Sequence, residues 1–550
     1  MSLAETRILE NLETKNHSLD LGKCGLIGNE PCLQLLEKCT HIETLSFSNK
    51  WWEFDTIKQV WIEKESQNKG EPNKLAQMNV CPPHIKRLIL AGDWHNRLQI
   101  SNFSYLQELK GLTYLDLSKN KISDITSLQE LKGLTTLNLS DNQISDISFL
   151  QELKGLTYLD LSENRISDFS FLRELKDLTY LNLHFNQISD ISFLQELKRL
   201  TSLNLSYNQI SDISFLRELK GLTTLDLNLN KISDFSVLQE LKGLTYLKLR
   251  KNQISDMAGL QKLKGLISLD LSENQISDIS GLQELKRLTT LNLSENKISD
   301  ISGLQELNKL TALYLSYNRI SDMAGLRELK RLTILTLIDN QISDISFLQE
   351  LNGLTALDLS QNKISDISGL QELKGLTTLD LGDNQISDIS ALQELKRLTT
   401  LNLDSNQISD ISALQELKRL TSLNLSYNQI SDISALQELK EVTSLHLNHN
   451  EISNFSCLLQ LDKLKNVSIN HNKIAFPIDN ALVHFLYCCY KKIPHASIPQ
   501  QNVVLPFLEQ IYNLMVSNDE ANQTLAKQLA MGQGWTERDI EAYFWFYTTN

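Results

Sequence analysis

No apolar run in the 550 residues is long enough to cross a membrane. The longest near-apolar stretch, ALVHFLYCCY at 481–490, is half a span. The opening MSLAETRILENLE is charged and has no apolar core segment, so no secretory signal is visible and a cytoplasmic protein is expected. A phosphate loop of the form GxxxxGK[ST] is missing. So are a serine-nucleophile elbow, a glycine-rich dinucleotide fingerprint and a metal-binding helix motif. Catalysis is therefore not expected, and neither is a cofactor. Positive charge is in deficit: the formal net charge of −14 argues against a general nucleic-acid binder. The seven cysteines (Cys24, Cys32, Cys39, Cys81, Cys457, Cys488 and Cys489) contain no CxxC pair, and buried free thiols in a reducing compartment are expected.

What the chain has in abundance is one sentence repeated. LQELKGLTYLDLSKNKISDITS is followed 22 residues later by LQELKGLTTLNLSDNQISDISF. Asparagine recurs at this period from Asn120 through Asn142 to Asn472. A leucine-x-leucine pair precedes it (Leu115, Leu117) and an isoleucine follows two residues later (Ile122). A fixed period in the twenties means a solenoid whose repeats bury their apolar faces only against their neighbours. Alternation in YLDL turns Leu115 and Leu117 inward and Tyr114 and Asp116 outward, as a short strand requires. Asn120 then has the donors and acceptor to satisfy backbone groups at an inward turn. The stretch SDITSLQELKGL suits a short helix or 3₁₀ turn at the back.

Three degenerate repeats precede the regular ones. They use Leu19 and Leu21, Leu45 and Phe47, and Leu88 and Leu90, with Cys24 in the first asparagine slot. Added to seventeen regular repeats, 3 + 17 = 20 strands are expected, an arc of roughly 95 Å at about 4.8 Å per strand.

The pattern LxxLxLxxNxI resembles the leucine-rich repeat. Its 22-residue length and ISDIS turn are most similar to the internalin and phosphatase-regulatory-subunit types. The resemblance implies an α/β solenoid: a horseshoe or superhelical arc with a concave parallel β-sheet and convex short helices or 3₁₀ turns. The terminal segments resemble those of bacterial cytoplasmic leucine-rich-repeat proteins, some of which carry a Roco-type GTPase. That GTPase has no counterpart in this chain.

Expected domains are an N-terminal helical cap at 1–16, irregular repeats at 17–111, regular repeats at 112–477 and a small α-helical domain at 478–550. In the cap, Ile8, Leu9 and Leu12 share one helical face. The irregular repeats hold a tryptophan-rich insertion at 50–83, read as a hairpin or loop with Trp51, Trp52 and Trp61 in the core beneath it. The last segment reads as three or four helices, packed on the final repeat or forming a separate binding domain.

Function has to lie where the repeats differ. On the concave face, Phe185, Tyr207 and Leu229 occupy consecutive rungs as an apolar strip, bordered by His184 and by Lys248, Arg250 and Lys251. A second patch gathers Tyr314, Tyr317, Ile334 and Ile338; a third joins Tyr427 to His446, His449 and His471. Aromatics beside basic residues are the usual anchors of protein interfaces. Asp270, Glu273 and Glu295, then Asp358, Asp380 and Asp383, make acidic patches. Three imidazoles could bind zinc, but no second shell is evident, and polar surface or partner contact is preferred. The competing explanation for all patches is drift among copied repeats. LQELKRLTSLNLSYNQISDIS occurs at 194–214 and again at 414–434, so Tyr207 and Tyr427 are copies. Blocks of phenylalanine, glycine and alanine opening the back turns likewise suggest duplication.

The resulting expectation is a non-catalytic bacterial scaffold that binds a protein partner on its concave face, without nucleic acid, membrane or metal. Alternatives are a regulatory subunit of an enzyme such as a phosphatase or GTPase, and an internalin-like surface adhesin.

Overall fold

The computed structural model of the chain describes residues 1–55, 60–75, 81–92 and 103–473. They fall into two compact units, Met1–Ile276 and the described part of Ser277–Asn550. Each unit is one parallel sheet of three-residue strands backed by 3₁₀ turns. Among the described residues the first unit contributes eleven such strands, from Ser18–Asp20 to Ser268–Asp270. The second contributes nine, from Thr290–Asn292 to Asn466–Ser468, giving the expected twenty.

The register follows from the repeat. Leu203 lies opposite Leu181 on one side and Leu225 on the other, so identical letters stack into columns. Leu203 and Leu205 are buried, as are their equivalents apart from the half-buried Val467 of the last strand, as the alternation requires. The back of the first repeat is the eight-residue 3₁₀ segment Pro31–Lys38; the later backs are 3₁₀ turns of three or five residues, such as Ser192–Glu196. So few residues cannot nucleate an α-helix. An aspartate opens most of the short turns, with Asn454 in its place in the last: Ser148 donates its backbone N–H to Asp146 Oδ1 at 2.8 Å, holding that carboxyl below the ordinary aspartate range.

Two polar ladders bind rung to rung. Asn142 donates from Nδ2 to the carbonyls of Leu117, Leu139 and Ser140 at 3.0 to 3.2 Å, while its Oδ1 accepts the Ile122 N–H at 3.0 Å. The second ladder was not read from the sequence. Thr201 donates both its backbone N–H and its hydroxyl to the Thr179 carbonyl, at 2.9 and 3.1 Å, and the pattern repeats along each unit.

The blocks at the start of the back turns have a packing reason as well as a history. Phe149, Phe193 and Phe347 are buried between turns, and Phe193 stacks on Phe169 at 6.0 Å. Where glycine stands instead, the turn shortens to three residues, as in Ala324–Leu326. A Cβ on Gly325 would lie 2.2 Å from the Ile301 carbonyl oxygen, so no larger residue fits that approach.

The N-terminal helix, Leu3–Thr14, starts with a capping box between Ser2 and Glu5. Its buried line is Ala4, Ile8 and Asn11 rather than Ile8, Leu9 and Leu12; the two leucines are half-buried. Asn11 is inside because its amide donates to the Asn16 and Ser18 carbonyls, tying the helix to the first strand.

The insertion is an antiparallel hairpin, Lys50–Asp55 paired with Val60–Glu65. Trp51 is half-buried; the side chains of Trp52 and Trp61 lie outside the described residues. The hairpin leaves the second repeat where the ladder asparagine is due, and Asn73 fills the vacated slot after the excursion. Asn73 Nδ2 donates to the Leu21 and Phe47 carbonyls at 2.7 and 2.9 Å, and its Oδ1 accepts the Leu26 N–H at 2.9 Å. These are the bonds Asn142 makes to Leu117, Leu139 and Ile122. The helices expected in 478–550 fall outside the described residues.

Candidate functional site

Four columns face outward from each sheet: the two outer strand positions, the residue after the second inward leucine, and the residue before the ladder asparagine. The last has a backbone peculiarity. All seventeen residues in it, from Lys119 to His471, are left-handed, with φ between 49° and 57°. Non-glycine residues adopt this region at a cost, least for asparagine and aspartate. Yet the column holds Phe185, Tyr207, Leu229, Tyr317 and Tyr427. Four of these (Phe185 at 57%, Tyr207 at 44%, Tyr317 at 46% and Tyr427 at 54%) are among the few large apolar side chains exposed in the repeats.

In the first unit, the Phe185 and Tyr207 ring centroids are 5.9 Å apart, and Leu229 on the next rung is half-buried. His184 meets Tyr207 edge-on at 4.9 Å and is anchored by a 2.8 Å hydrogen bond between its Nδ1 and Ser206 Oγ. The basic border is largely neutralised. Lys248 pairs with Asp226 at 3.3 Å, Arg250 donates to Glu273, and Lys251 approaches Glu273 at 3.6 Å. Glu273 is thus a counter-ion of that border, not part of a free acidic patch.

In the second unit, Tyr317 is exposed while Tyr314, Ile334 and Ile338 are half-buried beside it. The Ile338 N–H donates to Ser316 Oγ at 3.2 Å, in a column where most repeats carry serine. Further along, Tyr427, His449 and His471 form a continuous stack with successive centroids 4.1 Å apart. His446 stands aside from it, held through Nδ1 by Ser468 Oγ at 2.9 Å. Among the described residues no group of three or more His, Cys, Asp or Glu side chains is arranged to hold a metal. Asp380 accepts from the Gly382 N–H and the Asn402 amide; burial pushes its carboxyl up, with help from Asp358 and Asp404.

Comparison with known proteins decides the kind of molecule. The family described as Leucine Rich repeats (2 copies) matches in overlapping windows that together cover 110–196, 198–240, 242–394 and 396–438, more than half of the chain. The chain is a leucine-rich-repeat protein. No curated protein matches it over its sequence. Among solved structures, an internalin (inlF) from Listeria monocytogenes is 39% identical, over 54% of this chain and 88% of its own, with a TM-score of 0.53. A leucine-rich-repeat protein of Leptospira interrogans is 26% identical over 68% of this chain and 94% of its own, at 0.57. The functional domain of InlJ from Listeria monocytogenes, which includes a cysteine ladder, is 26% identical over 63% and 75%, at 0.54.

The leucine-rich-repeat protein also has face residues that the sequence reading passed over. Tyr158 and Tyr180, at the first outward strand position, stack at 4.4 Å with a 9° interplanar angle. Arg87 lies over the Tyr114 ring at 3.8 Å, and Tyr246 is 48% exposed. The signal was the tyrosine in LTYLDL, LTYLNL and LTYLKL. In the first regular repeat Asp116 is fully buried on this face, and two rungs on Asp160 is nearly so. Burial pushes the Asp116 carboxyl up to about 6; its Oδ1 accepts the Ser118 N–H, and among the described residues its Oδ2 has no hydrogen-bond partner. Among the described residues no helix is long and apolar enough to cross a membrane.

Proposed function

We propose that this leucine-rich-repeat protein is a non-catalytic scaffold that captures a protein partner on the outward face of its sheet. Phe185, Tyr207 and Leu229 form the leading contact site, with Tyr314, Tyr317 and Ile338, and Tyr427 with His446, His449 and His471, as further ones. One observation carries the reading: exposed aromatic side chains sit on left-handed backbone, where they cost stability and gain little burial. Such a side chain contributes more when a partner covers it.

The reading extends to a bacterial, cytoplasmic protein, with the N-terminal helix and the segment after 477 as caps to the array. Unpaired cysteines support a reducing compartment: burial pushes the Cys24 thiol up to about 12 and that of Cys457 to about 11, which leaves both unreactive. Likeness to the Listeria internalin favours a second reading, a surface protein. Fractionation of the native cell separates the two.

The test is affinity capture from that cell with the wild-type chain and with alanine variants of Phe185, Tyr207 and Tyr317. The expected result is a partner protein lost in the variants while their circular dichroism is unchanged. Normal capture by the variants would remove the site assignment.

A further inference from the structure

The Phe185 strip lies between surfaces of opposite charge, which bears on what covers it. One rung before Phe185, Glu163 is exposed in the same left-handed column, and its carboxylate meets no cation among the described residues. Two rungs beyond Tyr207 stand Lys248 and Lys251, 57% and 62% exposed, against Asp226 and Glu273 at 17% and 16%. Asp270 lies opposite Lys248 on the next strand, so with Arg250 included three cations meet three carboxylates, but the carboxylates are the more covered groups and the lysines are the ones that project. Strand pairing is continuous from Tyr158–Asp160 to Tyr246–Lys248, so the rungs of Glu163, Phe185, Tyr207, Leu229 and Lys251 follow in order. Four rung spacings are about 19 Å, the length of about six residues of extended chain.

Resting on the scaffold reading above, we infer that the strip receives a linear segment of another protein ordered basic, apolar, acidic. Its lysine or arginine pairs with Glu163, its apolar side chains cover Phe185 and Tyr207, and its carboxylate reaches Lys248 and Lys251. The apolar centre supplies most of the affinity, and the charges at either end set the direction in which the segment lies. A segment with the charges exchanged would place like charges together at both ends, and the surface rejects it.

The probe is a random twelve-residue peptide library, displayed and selected on the full chain and compared with the Phe185→Ser/Tyr207→Ser double variant. Enriched peptides are expected to bind the wild type at least ~10-fold better than the double variant. They should carry Lys or Arg on one side of an apolar pair and Asp or Glu on the other. Glu163→Lys should weaken them by ~5-fold and, when selected on directly, should replace the basic position with an acidic one. Peptides that need Phe185 and Tyr207 but show no charge order, or ignore Glu163→Lys, overturn this inference and leave the strip as a contact site. Peptides that bind the double variant equally well overturn both, as does a failure to enrich any. A dimer of the full chain that dissolves in the double variant would assign the strip to a second copy instead.

Discussion

Phe185 and Tyr207 stand one rung apart with their rings 5.9 Å between centroids, each on a backbone whose φ is above 50°. The scaffold would be content with asparagine or aspartate at both positions. That mismatch between local preference and occupant separates the letters that build this molecule from those that use it.

The asparagine ladder is the first set. Asn208 donates to the Leu183, Leu205 and Ser206 carbonyls at 3.0 to 3.1 Å and accepts the Ile188 N–H at 3.0 Å, in a buried site. Asn208→Ala leaves the Ile188 N–H unpaired and takes one donor from each of the Leu183, Leu205 and Ser206 carbonyls, which keep Asn186, Asn230 and the Phe185 N–H, and should cost about 1–3 kcal/mol. Because repeats contact only neighbours, hydrogen exchange is the suitable measurement. Protection should fall at Leu183, Ile188 and Leu205 and stay unchanged in distant rungs.

Gly325 is fixed by space. Gly325→Ala pushes a methyl against the Ile301 carbonyl and should cost about 1–3 kcal/mol by urea denaturation. Among the described residues Gly111 has no neighbour nearer than the Ile85 carbonyl oxygen at 3.9 Å from an added Cβ, so Gly111→Ala is the matched control and should change little.

Asp116 gives a pH dependence. Its folded pKa of about 6 lies above the ordinary 3.8, so the folded state holds the proton more tightly than the unfolded chain. This group's contribution is therefore most favourable below the unfolded value, declines as pH rises to about 6, and is flat above that. Arg87 and Asp160 act on the group with opposite signs, but burial dominates. Asp116→Asn should raise stability above pH 6, by about 3 kcal/mol at most, and give no gain near pH 3. Thermal unfolding at the two pH values reads this directly.

The scaffold was legible because each of its letters is forced by a local rule repeated many times. Leu115 and Leu117 must alternate inward, and Asn120 must answer backbone groups at the turn. What escaped were relationships between rungs. Nothing in ESQNKGEPNK marks Asn73 as the ladder asparagine of a repeat interrupted twenty-three residues earlier, because the slot is defined by space, not by period. The sequence shows Lys248, Arg250, Lys251 and Glu273 as two patches, but stacking at one rung per repeat turns them into ion pairs. The left-handed column was invisible for a different reason: aromatics there argue against φ above zero, so local preference points the wrong way.

The central claim is that the exposed aromatics of the left-handed column serve a partner and not the fold. Its most direct test is the Phe185→Asn/Tyr207→Asn variant, measured for both urea stability and partner capture. The account predicts stability unchanged or raised by up to ~1 kcal/mol per site, since asparagine tolerates this backbone, together with loss of capture. A variant that is destabilised, or that still captures the partner, would contradict it.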